Sequence, residues 1–339
     1  TWLTDWDMVA DNENNAILTI QDIRLNGNNN IVAYKISNQG SFLWGADGIM
    51  LSNSEDFDAA PKVVVTGSNN VVVAWQANNV IIRQKISPEG SKLWGDWGIT
   101  MSGTERFTWP QLMAVGADDV VMKFYKDTGS SMYPVRHLLA QRFNAEGQPV
   151  WSTNTVICNT GNISSWTQIL SMVTDGNEGF YIAWHDYRLS GLIAAPWIQH
   201  VNNNGVIQYA ANGLQLSDRN EFNRFNPRIA VDETGNNIFV FWRETNGDQN
   251  QYGLYAQNVS MTGQLQWTSS GKPIIDIGSE NIECGFAVSE GSDAIVMYEN
   301  GSGNIKIRRI NSVGENVWSG IDKTVNSTTA SKVHPSLSG

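Results

Sequence analysis

Apolar and polar positions alternate in short runs along the whole chain. The stretch Pro61-Lys62-Val63-Val64-Val65, the turn Gly67-Ser68-Asn69-Asn70 and Val71-Val72-Val73-Ala74-Trp75 together read as a β-hairpin. The segment Val80 to Ser102, VIIRQKISPEGSKLWGDWGITMS, then reads as a third strand, a turn at Ser87–Gly90 and a fourth strand opened by Trp94. Period-two alternation rich in β-branched and aromatic residues predicts strands, and no window has a convincing helical period. The pattern recurs. A glycine is followed four residues later by an aromatic at Gly40/Trp44, Gly90/Trp94, Gly147/Trp151, Gly205/Tyr209, Gly263/Trp267 and Gly314/Trp318. The glycines are spaced by 50, 57, 58, 58 and 51 residues. Hairpins like the first recur at Met8–Gln21, Leu112–Tyr125, Met172–Trp184, Ile229–Trp242 and Phe286–Tyr298.

Four short strands per fixed period describe one propeller blade. The chain is therefore predicted to be an all-β, six-bladed β-propeller with four-stranded antiparallel blades, forming a single domain over residues 1–339. Its repeats run over about 7–53, 54–103, 104–159, 160–217, 218–278 and 279–326, with a tail at 327–339. The tail carries His334-Pro335-Ser336-Leu337-Ser338, which resembles the opening of another repeat, so seven blades is the alternative. The repeated glycine falls where the third strand reverses into the fourth, a place that often needs positive φ. The aromatic is expected to fill the gap between neighbouring sheets.

Composition narrows the surroundings. Only 16% of the 339 residues are charged and the formal net charge is −11, which argues against general nucleic-acid binding because a phosphate backbone asks for a basic face. No apolar run reaches a membrane span. The neutral polar composition suits a secreted, periplasmic or cell-surface protein, expected to be a monomer, and a first residue other than Met fits removal of a leader or trimming. Cys158 and Cys284 map to distant repeats, so two unpaired thiols are expected. Asn162, Asn258 and Asn326 head Asn-x-Ser/Thr sequons.

The repeats resemble those of tandem-repeat propellers from secreted and surface proteins of Bacteroidetes-type bacteria. The match is carried by Asp175-Gly176-Asn177-Glu178-Gly179 with Ala183-Trp184-His185-Asp186-Tyr187-Arg188, and by the strands Ala140–Asn144 and Ala256–Ser260. The resemblance implies export, attachment to the cell surface, and a part in glycan binding or breakdown. It carries over no catalytic residue. Sialidase-like propellers have a turn S-x-D-x-G-x-x-W, whereas Ser37–Trp44 reads S-N-Q-G-S-F-L-W, without the Asp and with a longer Gly–Trp spacing.

In a propeller, the loops joining strand four to the next strand one, and strand two to strand three, share the face around the channel mouth. Just before first strands the repeat map places Trp6, Phe57, Trp109, Trp166 and Phe225. The second-to-third loops hold Arg24, Asp186, Tyr187, Arg188, Arg243 and Glu244, and the linking loops add Arg106, Arg219 and Arg224. Indole faces suit stacking on sugar rings, and guanidinium forks suit carboxylates or sulfates. The candidate ligand site is thus Trp109, Trp166, Asp186, Tyr187, Arg188, Arg224, Arg243 and Glu244, for an anionic or uronic glycan or an extracellular protein. The competing expectation is that the aromatics pack between blades and the arginines pair with Asp58, Asp186, Glu221 and Glu244. Asp186 and Glu244 could also serve a hydrolase or lyase. With no GxSxG, P-loop or paired-histidine motif, a binding module is expected ahead of an enzyme, with no cofactor and no metal. The Asp-containing turns Asp11–Asn15 and Asp232–Asn236 lack full calcium-loop spacing and read as ordinary hairpin turns.

Overall fold

The computed structural model describes residues 5–24, 27–130, 132–163, 170–189 and 191–325. Trp166, Asn326 and the tail with His334 lie outside these. All regular structure among the described residues is β, with no helix able to cross a membrane. The chain separates into two compact units, residues 1–159 and 160–339.

The first unit holds three four-stranded antiparallel sheets. They are β1 (Trp6–Ala10) to β4 (Ile49–Met50), β5 (Asp58–Val65) to β8 (Ile99–Met101), and β9 (Arg106–Val115) to β12 (Thr155–Gly161), whose last residues pass into the second unit. The second unit holds β13 (Ser171–Thr174) to β16 (Leu214–Gln215), β17 (Asn223–Val231) to β20 (Lys272–Gly278), and β21 (Ile282–Glu290) to β24 (Lys323–Thr324). In each sheet the strands pair in chain order, as a blade requires.

The apolar positions show why the sheets stack. In β6 (Val71–Ala77) Val71, Val73 and Trp75 pack towards the first sheet with Ile17, Ile31 and Ala33, while Val72 and Ala74 pack towards the third with Met122 and Phe124. Period two thus feeds two cores from one strand, so second strands read as continuous apolar runs. The same division holds in β18 (Ile238–Thr245). Ile238, Val240 and Trp242 face the sheet before it, and Phe239 and Phe241 the sheet after it.

The recurring glycine and aromatic prove to be the two halves of one contact between sheets. Trp44 Nε1 donates to the Pro88 carbonyl at 3.1 Å, Trp94 Nε1 to Ala145 at 3.1 Å, Tyr209 Oη to Ser260 at 3.0 Å and Trp267 Nε1 to Ser312 at 3.0 Å. Each ring lies against the next repeat's glycine. A Cβ on Gly90 would sit 2.9 Å from Trp44, and one on Gly263 2.7 Å from Tyr209. Those glycines have φ of +96° and +78°, so backbone and space both exclude larger residues. A buried glutamine in the third strand fixes four of the six aromatics from behind. Gln84, Gln141, Gln199 and Gln257 accept from the backbone N–H of Trp94, Trp151, Tyr209 and Trp267 at 2.9–3.1 Å.

Several details differ from the sequence reading. Trp6, Arg106, Arg224 and Phe225 lie within first strands and Asp186, Arg243 and Glu244 within second strands, because the pairing extends further into the junctions than the apolar runs do. Trp94 does not open the fourth strand, since β8 begins at Ile99, after the tryptophan has turned inward to make its contact. Trp109 lies inside β9, not ahead of it, at a bulge where φ is +52°. Ala60 and Asn226 hold the same bulge in β5 and β17, and all three precede a proline. The ring of Trp109 therefore occupies a slot filled elsewhere by Ala and Asn, and does not belong to a recurring aromatic series. Cys158 and Cys284 are free and buried, and burial pushes the Cys284 thiol up to about 12.

Candidate functional site

Within each unit the second-to-third loop of one sheet meets the lead-in to the next sheet's first strand through backbone bonds. Asp58 N–H donates to Asn29 O at 3.3 Å, Phe107 to Asn79 at 2.9 Å and Arg224 to Ala194 at 3.0 Å. These junctions carry the residues singled out from the sequence.

In the second unit, β14 (Phe180–Asp186) ends on a clip. Trp184 Nε1 donates to Asp186 Oδ2 at 3.0 Å, and Arg188 Nε lies 2.9 Å from both oxygens of that carboxylate. The Arg188 guanidinium lies 3.7 Å over the Trp197 ring and donates to Asn212 O at 2.8 Å. Asp22, Arg24 and Asp47 repeat this clip in the first unit, with Arg24 bonded to Asp22 at 2.8 Å and to Asp47 O at 3.0 Å. The Asp-x-Arg of the resembled repeat is thus a loop fastener.

One sheet on, Trp242 Nε1 donates to Glu244 Oε1 at 3.0 Å, and Arg219 Nε meets Glu244 Oε2 at 2.8 Å. Arg219 also lies 4.6 Å from the ring centres of Phe222 and Tyr255. Burial raises the Glu244 carboxyl, and Trp242 and Arg219 pull it back. Arg224 is fully buried and donates to the carbonyls of Ser217 at 2.6 Å and Ala194 at 3.3 Å. Arg243 pairs with Glu283 at 2.7 Å and reaches Asn281 at 3.1 Å. Tyr187 is half-buried, with its ring at the edge of His185, which burial pushes down to about 4. Trp109 is in the first unit, where its carbonyl accepts from Lys123 Nζ at 3.2 Å.

All six loop arginines are thus engaged by the protein itself, including Arg106, which donates to Ser130 O at 3.0 Å. In the second unit, an anionic ligand meets guanidinium groups already bonded to a carboxylate or a carbonyl. The Asp-containing turns are likewise self-satisfied. The Asp11 carboxylate takes Asn15 at 2.8–3.2 Å and Lys35 at 2.9 Å, and Asp232 takes Thr234, Asn236 and Asn237. Among the described residues no group of three metal-ligating side chains converges. The Asn258 sequon is buried, its amide bonded to Asn237 and Ser312, so it is closed to glycosylation in the folded protein.

The first unit offers a different junction. A cavity of about 170 Å³ is lined by Gly27, Asn28, Asn29, Glu55, Asp56 and Phe57. Phe57 is 59% exposed, an aromatic left at the surface of a chain that buries most of its rings. Asp56 accepts from Asn78 Nδ2 at 2.5 Å, which anchors one side of the cavity. Behind it, Asp58 is fully buried and its carboxylate pKa is raised to about 6, by burial first and by Asp56 as well. Ser52 and Trp75 oppose the rise, but among the described residues neither oxygen of the carboxylate has a partner in good hydrogen-bond geometry. Sequence reasoning named Phe57 among the aromatics but missed Asn28, Asn29, Glu55 and Asp56. Nothing in a polar loop marks which of its residues surround a cavity.

No family model matches the chain, and no curated protein matches it. Among solved structures, the Dos1 propeller aligns at TM-score 0.53 with 10% identity, over 96% of this chain and 71% of that one. An α-L-arabinanase from Penicillium chrysogenum aligns at 0.43 with 12% identity, over 76% and 79%. An endo-arabinase from Bacteroides thetaiotaomicron aligns at 0.37 with 12% identity, over 80% and 95%. The two arabinan-degrading enzymes align too loosely to bear on activity. The first likeness shows the fold, and the chain is a β-propeller of six four-stranded blades.

Proposed function

We propose that this propeller is a glycan-binding module acting outside the cell, with its ligand seated on the face formed by the second-to-third and linking loops. One observation carries the reading. The first unit leaves an exposed phenyl ring at the lip of a cavity whose other side chains are amides and carboxylates. An aromatic face beside hydrogen-bonding groups is what a sugar ring needs, since its C–H face stacks while its hydroxyls are received at the edge.

A hydrolase or lyase seated on the same face is the second reading, supported by the neighbouring carboxylates Glu55 and Asp56 in that cavity. Asp58, which has the raised pKa of a general acid, is sealed from solvent and does not serve as one. Binding is therefore favoured over turnover. The test is a glycan array followed by incubation of each bound glycan with the protein. Binding without release of shorter products supports the module, whereas product release that is lost in Glu55→Gln supports the enzyme.

A further inference from the structure

We infer that the cavity beside Phe57 receives one uncharged, hydroxyl-rich sugar residue and turns away uronic and sulfated ones. The inference deepens the glycan-binding reading and rests on it.

Size sets the first limit. Pockets that enclose drug-sized ligands run to roughly 300–1,000 Å³, so a cavity of about 170 Å³ holds a single ring and leaves the rest of a chain outside. Phe57, more than half exposed, supplies the platform for that ring.

Chemistry sets the second limit. Carboxylate oxygens accept hydrogen bonds, so Glu55 and Asp56 ask for O–H donors, while the Asn29 side-chain amide both donates and accepts. A pair of adjacent hydroxyls meets that demand, and a carboxylate or sulfate does not. Asp56 is held in place by the Asn78 amide, so part of the site is ordered before ligand arrives.

Charge sets the third. Among the described residues no cationic side chain lines the cavity. Arg24, on the same loop, is committed to Asp22, Asp47 and Tyr34. An anionic sugar therefore meets two carboxylates with no compensating cation, and like charges brought together without compensation oppose binding. This is the reverse of the specificity that the loop arginines suggest from sequence, because those arginines are spent on internal carboxylates and carbonyls.

The experiment measures binding of neutral hexose and pentose oligosaccharides, oligogalacturonate, chondroitin sulfate and cationic chitosan oligomers by calorimetry, at two salt concentrations. The wild-type protein is expected to bind a neutral oligosaccharide at least tenfold more tightly than either anionic glycan. Phe57→Ala should weaken that binding about tenfold or more, with an unchanged melting temperature. Glu55→Gln, at an exposed position, should narrow the gap between neutral and anionic glycans, as should Asp56→Asn. Preference for oligogalacturonate, sulfate or chitosan in the wild-type protein overturns the inference. So does a neutral glycan whose affinity is indifferent to Phe57→Ala and Glu55→Gln, although the glycan-binding reading then stands. If none of the four classes binds, both readings fall.

Discussion

The linking loop before β5 and the loops around β14 and β18 all lie at junctions between neighbouring sheets and have opposite fates. Around β14 and β18 the side chains richest in chemistry, Asp186, Arg188, Arg219 and Glu244, form a closed set of indole, carboxylate and guanidinium. Before β5 the carboxylates of Glu55 and Asp56 border a cavity, and the aromatic beside them stays in solvent. The difference begins with single residues. At the carboxylate position two residues past the second-strand tryptophan, Trp75 has Ala77, whereas Trp184 and Trp242 have Asp186 and Glu244. In the second sheet the acid comes instead from Asp58 on the neighbouring strand, where it pairs in register with Ala77. A loop that supplies its own arginine to its own acid becomes structure. A loop that supplies acids without arginine remains open to a ligand.

If that contrast is right, changes near β14 and β18 act on stability and changes before β5 act on binding. The largest effect is expected from Glu244→Ala, which strands a buried indole N–H and leaves Arg219 without its partner. Breaking a buried pair from one side costs about 3–5 kcal/mol, and partial exposure of Arg219 places this one near 3 kcal/mol, read as the shift in denaturant midpoint. Arg188→Ala should cost less, about 2 kcal/mol, because Asp186 keeps the Trp184 hydrogen bond while losing its cation. Its glycan affinity should equal the wild type, and a tenfold loss of affinity in a folded Arg188→Ala protein would restore the arginine face as the site.

Asp58→Asn acts in the opposite direction. The folded pKa of about 6 lies above the ordinary carboxyl value of 3.8, so the stability tied to Asp58 is fully present below about pH 4 and lost as pH rises through about 6. Removing the charge should stabilise the protein at pH 7–8 by on the order of 2 kcal/mol and leave it unchanged near pH 4. Equal melting-temperature shifts at both pH values would show that Asp58 is not the strained group. Phe57→Ala has the smallest expected effect on stability, within about 0.5 kcal/mol, as for other exposed positions. A larger loss in thermal unfolding would mean that the ring packs against the protein and is no platform.

Much of the fold was legible because one structural job recurs at fixed spacing. Gly90 and Trp44 answer each other across two repeats, so the period of the sequence is the period of the contact. The hairpin boundaries were legible through Asn and Gly turns such as Asn69, with φ of +61°. The fourth strands were legible only in outline, since β4, β16 and β24 have two residues each and their position is set by tertiary packing of the preceding aromatic. The site was less legible. Arg188 and Arg243 stand out in an acidic chain, but whether a guanidinium is free depends on residues distant in sequence. Glu283 lies forty positions beyond Arg243, and Asn212 two dozen beyond Arg188. Conversely Glu55, Asp56 and Phe57 look like an ordinary polar connection, and only the approach of Asn28 and Asn29 turns them into a cavity.

The most direct measurement is a crystal structure of the protein soaked in a neutral oligosaccharide that it binds in solution. A sugar ring stacked on Phe57, with hydroxyls at Glu55 and Asp56, is the expected result. A ring seated instead beside Tyr187 or Arg243, with the Phe57 cavity holding only solvent, would contradict the account.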